Sequence, residues 1–504
     1  MKSKVISTVT LIVFIFNLQS QNLIFQDYKG ELNEIQIHYL NAVSKKSDDP
    51  KYSIVTINSQ AMIDGALVLM NLPGLEPIEF SSIDIMPKQK GKMFWKGIDS
   101  NGEDYAKFLI NGSLTTGRIR CQNANFNLYP LTEGLHLLIP LESLVQVEDC
   151  PVNGDGKQRS NHDLKPKEYN YEEPEIAVDS NPESVVQKSM PVECKIRILG
   201  AYTTLAGNNS ADIVSLIELD IDDFNTINSN SLVDFQVEIA RIVELTGYTE
   251  VGTESPNPLM PVWSYSDNIL RFWNPTDGFM DEVHDLRNLY DADMCQMYLD
   301  DLAGPGGIAM EVNVDAPNAF CASLWDNGGF TPVHELGHLI GMWHNVESSP
   351  PFDNYNWEHG YYNDDNVTGT NFRTIMSYSS ACNGSCPRVA HWSNDDDTYL
   401  GLPTGSTATH DNARIARFRD QTVSLFQANQ INKSVFQNET VDEDEVGDIY
   451  GSATITTSNN IVIFENGSKG TYRAGSQIKL LPGFHAKKGT SYTAKIVMPC
   501  SALN

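Results

Sequence analysis

Between Thr331 and His344 the chain reads TPVHELGHLIGMWH, which places His334, Glu335, His338, Gly341 and His344 at the spacing H-E-x-x-H-x-x-G-x-x-H. On a helix, His334 and His338 stand one turn apart on the same face, so their imidazoles converge. Glu335 directly follows the first of them, where its carboxylate can reach a water without itself binding a metal. Thr331 suits an N-cap and Pro332 a first helical position, which gives the helix a start. Gly341 allows a turn through positive φ that returns His344 as a third ligand. Three imidazoles with an open fourth position describe one catalytic Zn2+ ion, because structural zinc closes all four positions. Such an ion acidifies water and polarises a carbonyl, with Glu335 as the general base, which is hydrolytic chemistry. A bare H-E-x-x-H arises by chance in a chain of this length with odds on the order of one percent. Fixing Gly341 and His344 as well lowers that by roughly another factor of several hundred.

HELGHLIGMWH resembles the zinc-binding sequence of the metzincin metallopeptidases. Thr374-Ile375-Met376-Ser377-Tyr378 is similar to their methionine turn, in which Met376 would form an apolar floor under the imidazoles. The resemblance is to reprolysin-like (adamalysin-related) secreted bacterial enzymes. His344 is followed by Asn345 where adamalysins usually carry Asp, which leaves the subfamily open toward pappalysin-like enzymes. The resemblance implies a further role for Tyr378, two residues after the Met, as a zinc ligand or oxyanion stabiliser. It also implies a latent zymogen, with Cys121, Asp149 or Cys150 as visible candidates for an inhibitory ligand. A structural disulfide is the simpler role for each of these cysteines.

Composition narrows the partners. A formal net charge of −30, from 35 basic and 65 acidic residues, excludes the basic footprint that nucleic acid or an anionic membrane requires. Polypeptide substrates are the partners expected. Lys2 and Lys4 precede an apolar run from Val5 to Leu18 and then small and polar residues, the pattern of a secretory signal peptide. The run is too short for a comfortable span, so no membrane insertion is expected after its removal. Eight cysteines in an exported chain permit disulfides, and Cys382 and Cys386 in ACNGSCP flank a turn where a local bridge or free thiols fit better than zinc. A structural Ca2+ ion is allowed, with no pattern to support it. Asp353 and His359 fit a hydrated loop better than a second metal site.

The elements that must position the histidines follow from periodicity. From 21 to 150, short apolar runs such as Tyr52–Ile57 and Leu135–Pro140 alternate with Gly, Asn and Pro turns, a mostly β domain placed as a propeptide would be. Residues 151–191 are polar and Pro-containing, a linker in which Lys157 and Arg159 offer a processing site. Strands are expected at Cys194–Leu199, at Val233–Ile239 and at Ala292–Leu299. Helices are expected around Ile213–Phe224 and, with Thr276 as a cap, around Phe279–Tyr290, with His284 structural. The metzincin resemblance implies an edge strand at Gly306–Met310, able to pair with an extended peptide, while the residues alone fit an ordinary inner strand after a Gly turn equally well. A last helix is expected within 412–427, then a linker over 428–448, then strands at Ile461–Phe464, Gln477–Leu481 and Tyr492–Ile496.

The chain is therefore expected to be multidomain. A signal peptide (1–20) is followed by a β-rich propeptide-like domain (21–150) and an α/β metzincin catalytic domain with a mixed sheet and zinc helix (192–427). A small all-β C-terminal domain (449–504) ends it and could contact a cell surface or glycan. The function expected is a secreted zinc endopeptidase. The alternative is a catalytically silent extracellular binding or adhesion protein that uses its β domains.

Overall fold

The computed structural model describes residues 23–44, 51–65, 67–88, 91–102, 104–121, 124–141, 195–250, 264–302, 305–326, 330–349, 356–364, 370–382 and 386–427. Toward the C-terminus it describes 432–435, 439–441, 449–451, 454–457, 462–464, 468–474 and 477–496. The expected signal peptide, the linker at 151–191, Asp149, Cys150, Cys194 and Asp353 lie outside the described residues.

The N-terminal region forms a nine-stranded antiparallel sheet. From Leu67 to Pro140 its strands run as a meander, each pairing with the next, and Ser53–Ile57 joins beside Leu135–Pro140. The hairpin before Leu135 shows why: Glu133 (φ 49°) and Gly134 (φ 77°) supply the paired positive φ values that match strand twist. Two helices, Glu34–Ser44 and Ser59–Asp64, interrupt a stretch expected to be strands and turns. The first has a reciprocal cap, Asn33 Oδ1 accepting from the Gln36 amide and Gln36 Oε1 accepting from the Asn33 amide, a signal legible in N-x-x-Q.

The central region is a five-stranded mixed sheet in the order Gln236–Leu245, Lys195–Thr203, Met294–Leu299, Phe320–Leu324, Gly307–Ala309. The first four strands are parallel and the fifth, at the edge, is antiparallel to its neighbour. Parallel neighbours need crossovers, which Ile213–Asn230, Ser264–Trp273 and Glu282–Leu289 provide. One sheet face packs Ile196, Ile198 and Cys321 against Phe224, Ile227, Leu336 and Leu339. The other packs Leu199, Ala201 and Phe320 against Ile269, Phe272 and Val283.

Most expected elements are present, with four differences. Phe320–Leu324 and Ser264–Trp273 were not anticipated, the first because FCASL is short and buried without alternation. The strand from Gln236 starts late, Val233 and Phe235 being buried in the approach to it. Phe279 is 43% exposed and precedes its helix, and Thr276 bonds Asn274 in a turn instead of capping. In the last helix, Asn412–Val423, Ile415 and Val423 are buried as expected, but Phe418 is exposed. His284 stacks on Phe320, a structural role as expected.

Helix Ile213–Asn230 is gripped from both sides. Its apolar face enters the mixed-sheet core, while Asp220, Asp222 and Asp223 meet the N-terminal sheet. Lys107 Nζ lies 2.7 Å from Asp222 and 2.8 Å from Asp223, and Arg118 reaches Asp223 at 2.9 Å and also pairs with Asp220. Burial alone would raise the Asp223 carboxyl, but Lys107 and Arg118 outweigh it and hold it below its ordinary range. Charges so fully enclosed are tolerated only because each meets its opposite.

The C-terminal strands form three three-stranded parallel sheets. Each strand pairs with its counterpart one coil later, as in Glu439–Val441 with Val462–Phe464 and then Phe484–Ala486, giving a small parallel solenoid. Tyr472, Phe484 and Tyr492 stack in contact. The stretch expected as a linker supplies two of its strands, Asn432–Val435 and Glu439–Val441. No helix among the described residues is long and apolar enough to cross a membrane.

Candidate active site

The motif helix spans Thr331–Ile340 and is buried from Pro332 onward. Thr331 is not its N-cap. Phe330 takes that position with a left-handed backbone (φ 63°), and Pro332 occupies the first turn, where its missing N–H costs nothing. Gly341 ends the helix at φ 128°, a conformation that a side chain resists, and its N–H reaches the carbonyls of Gly337 and His338. That turn returns His344 to the two helical histidines.

The three imidazoles meet through one nitrogen each. His334 Nε2 is 3.1 Å from His344 Nε2 and 3.1 Å from His338 Nε2, and the last pair are 2.9 Å apart. His334 Nδ1 lies 2.9 Å from the Ile375 carbonyl and His338 Nδ1 lies 2.8 Å from the Met342 carbonyl. A carbonyl only accepts, so the Nδ1 atoms of His334 and His338 carry the proton and the facing Nε2 of each is a bare lone pair. Burial first, then mutual proximity, pushes His334 and His344 well below the ordinary imidazole range, and burial brings His338 down to about 4. Neutral lone pairs aimed at one another repel unless a cation stands between them, so the donor set fits a divalent metal. Among the described residues these three form the His, Cys or carboxylate group able to hold one.

Glu335 is fully buried beside them. A Cβ built on Gly307 would come within 2.5 Å of its Oε1, so any side chain on the edge strand here would displace the carboxylate. Gly307 falls inside the strand expected at Gly306–Met310, and nothing in its spacing signals this close approach. Met376 is buried under the helix, and a Cβ on Gly337 would lie 3.0 Å from its sulfur. Gly360 packs against the peptide joining Met376 to Ser377, within 2.7 Å of any added Cβ. The Tyr378 ring stacks on His344 with centroids 3.9 Å apart, and its amide donates to Asn345 Oδ1 at 3.1 Å. Asn345 thereby ties the third histidine to the methionine loop.

Two other expectations change. His359 is not in a hydrated loop: it is buried, with Nδ1 3.0 Å from the His344 carbonyl, because Gly360 pairs back onto Trp343. Cys121 is buried and free, not disulfide-bonded, and burial pushes its thiol up to about 12, which keeps it protonated. It lies outside the histidine group. Cys382 and Cys386 are bridged, as their spacing suggests.

No family model matches the chain. Curated relatives do. A peptidyl-Asp metalloendopeptidase of Stenotrophomonas maltophilia (strain R551-3) is 30% identical over 336 residues, covering 65% of this chain and 73% of that protein. One from Xanthomonas campestris pv. campestris is 30% identical over 329 residues, 64% of this chain and 70% of that protein. The chain belongs to the family of these metalloendopeptidases. A Pseudomonas fragi protein of the same name is 29% identical over 194 residues, 38% of this chain and 96% of that protein. This metalloendopeptidase therefore acts on polypeptides, and its three buried histidines are a chemically apt place for the metal that the family name implies.

Proposed function

We propose that this metalloendopeptidase is an exported zinc enzyme of the metzincin type, nearest the reprolysin-like group, that cuts polypeptides beside aspartate. The observation that carries the metal assignment is the convergence of three buried imidazole Nε2 atoms within 3.1 Å of one another. The relatives' name supports the aspartate preference. His334, His338 and His344 would hold the ion, which when bound supplies a Lewis acid for the scissile carbonyl and an acidified water. Glu335 takes the water's proton on its carboxylate and delivers it to the departing amine. Met376 supports the imidazoles from below. Tyr378, stacked on His344, holds that ring in place and offers its hydroxyl to the developing oxyanion. The edge strand Gly307–Ala309 offers main-chain pairing to an extended substrate.

In this reading residues 1–20 direct export, 21–150 are a propeptide docked through the Lys107 and Arg118 ion pairs, 192–427 are the enzyme and 449–504 an accessory module. Digestion of a denatured protein, with metal analysis and sequencing of the product ends, tests it. Zinc near one per chain and product ends at aspartate are expected. A metal-free protein that still cleaves, or cuts unrelated to aspartate, would refute it.

A further inference from the structure

Three consecutive residues, Glu358, His359 and Gly360, fill the space between the third candidate ligand and the methionine loop. On one side they pair with the turn that carries His344: Trp343 donates its amide to the Glu358 carbonyl (2.8 Å), and Gly360 donates its own to the carbonyls of Trp343 (3.0 Å) and His344 (3.2 Å). On the other side Tyr361 is locked to the loop. The Thr374 amide donates to the Tyr361 carbonyl and the Tyr361 amide to Thr374 Oγ1, both at 2.9 Å. From behind, Asn412 Nδ2 donates to the Glu358 carbonyl at 2.7 Å and the Ser393 hydroxyl to the His359 carbonyl at 2.5 Å. Both Glu358 and His359 are buried.

From this seat His359 grips the main chain of His344. Its Nδ1 lies 3.0 Å from the His344 carbonyl and 3.0 Å from Ser349 Oγ. A carbonyl only accepts, so Nδ1 carries the proton and donates it. The Ser349 hydroxyl lies 3.3 Å from the same carbonyl. The third ligand has a particular need of such a grip. His334 and His338 stand on the motif helix, and each ring is oriented by its Nδ1 bond to a carbonyl. A bond at the second nitrogen is what ordinarily holds a metal-ligating imidazole in place. His344 follows Gly341, outside the helix, and its Nδ1 is buried without a hydrogen-bond partner among the described residues. Its position therefore rests on the Tyr378 ring and on the backbone that His359 holds.

We propose that His359 is a positioning residue of the metal centre: its Nδ1 bond to the His344 carbonyl sets the third ligand and thereby the affinity for zinc. The inference rests on the zinc reading proposed above. His359 acts through His344 and takes no part in the proton transfers of Glu335. An imidazole that only filled space would be replaced best by an apolar side chain, whereas a positioning donor is replaced best by another donor at the same bond.

The test measures zinc affinity by competition with a chelator, using the full-length protein as wild type and as His359→Asn and His359→Leu. Asn carries an amide nitrogen one bond from Cγ, where imidazole carries Nδ1, and Leu fills the space without a donor. The melting temperature of each metal-free protein registers any loss of packing separately. His359→Leu should bind zinc on the order of 10- to 100-fold more weakly than wild type, and His359→Asn should recover most of that affinity. If His359→Leu fails to fold, His359→Gln, whose donor lies one bond farther out, takes its place and should also bind weakly. Wild-type affinity in His359→Leu or its substitute, or no better affinity in His359→Asn than in these, would overturn the role of His359 while leaving the zinc reading intact. A wild-type protein that binds no zinc would overturn that reading and this inference together.

Discussion

At the residue scale, the glycines say as much about the site as the histidines. Gly307 is where the edge strand passes the Glu335 carboxylate, and a methyl there would fall 2.5 Å from Oε1. Gly307→Ala should therefore displace the proposed general base while leaving the three imidazoles untouched. Misplacement by about an ångström costs on the order of 100-fold in rate, so kcat should fall by about that factor with zinc content unchanged. Steady-state kinetics beside metal analysis would check it, and full activity in Gly307→Ala would mean that Glu335 does not work from this position. Gly337 plays the matching part for Met376, whose sulfur fills the space a side chain would need. The histidines, Glu335 and Met376 were legible because their chemistry is tied to fixed local spacing. Gly307 and Asn345 were not, because their partners, Glu335 and Tyr378, approach only after folding.

Among the elements, helix Ile213–Asn230 joins the two sheets. Its apolar spacing, Ile213, Leu216, Ile217, Ile221 and Phe224, announced the helix, and all five are buried. What periodicity could not show is that the opposite face is buried too, with Asp220 and Asp223 enclosed against Arg118 and Lys107. Acidic residues on a helix ordinarily mark the solvated face, and only the partner sheet reveals otherwise. Asp223→Ala should destabilise the protein by on the order of 3 kcal/mol, because it takes one of two carboxylates from each of two buried cations, leaving Lys107 with Asp222 and Arg118 with Asp220. Urea unfolding followed by tryptophan fluorescence would measure this, and a loss below about 1 kcal/mol, the worth of an exposed pair, would show that the contact is solvated. The cap Asn33–Gln36 and the strand Phe320–Leu324 were missed for opposite reasons. The first signal was present and outvoted by surrounding strand-like runs, while the second had no alternation to read.

At the scale of the whole molecule, the mixed sheet, the motif helix and the segments 370–382 and 386–391 form one support around three facing imidazole nitrogens. Removing a metal from such a support leaves repulsion in its place, so chelation should lower the melting temperature as well as abolish cleavage. A ligand present at a thousand times its Kd contributes about 4 kcal/mol, which for a region of this size corresponds to a shift on the order of 10 °C. Differential scanning calorimetry with and without chelator would detect it, together with recovery on adding zinc. An unchanged melting temperature would argue that the histidines hold no metal. The C-terminal solenoid lay within reach of sequence only as alternating strands, since the coil-to-coil pairing of Ile449–Gly451 with Lys469–Ala474 is set by distant neighbours.

The assignment of Glu335 as the base beside a metal held by His334, His338 and His344 is tested most directly by Glu335→Gln. The substitution keeps the side chain's size against Gly307 and removes its ability to take a proton. Zinc stoichiometry and peptide hydrolysis should be measured on the same preparation. The expected result is zinc near one per chain, as in wild type, with hydrolysis lowered by on the order of 10³-fold or more. Hydrolysis at the wild-type rate by zinc-loaded Glu335→Gln would contradict the account.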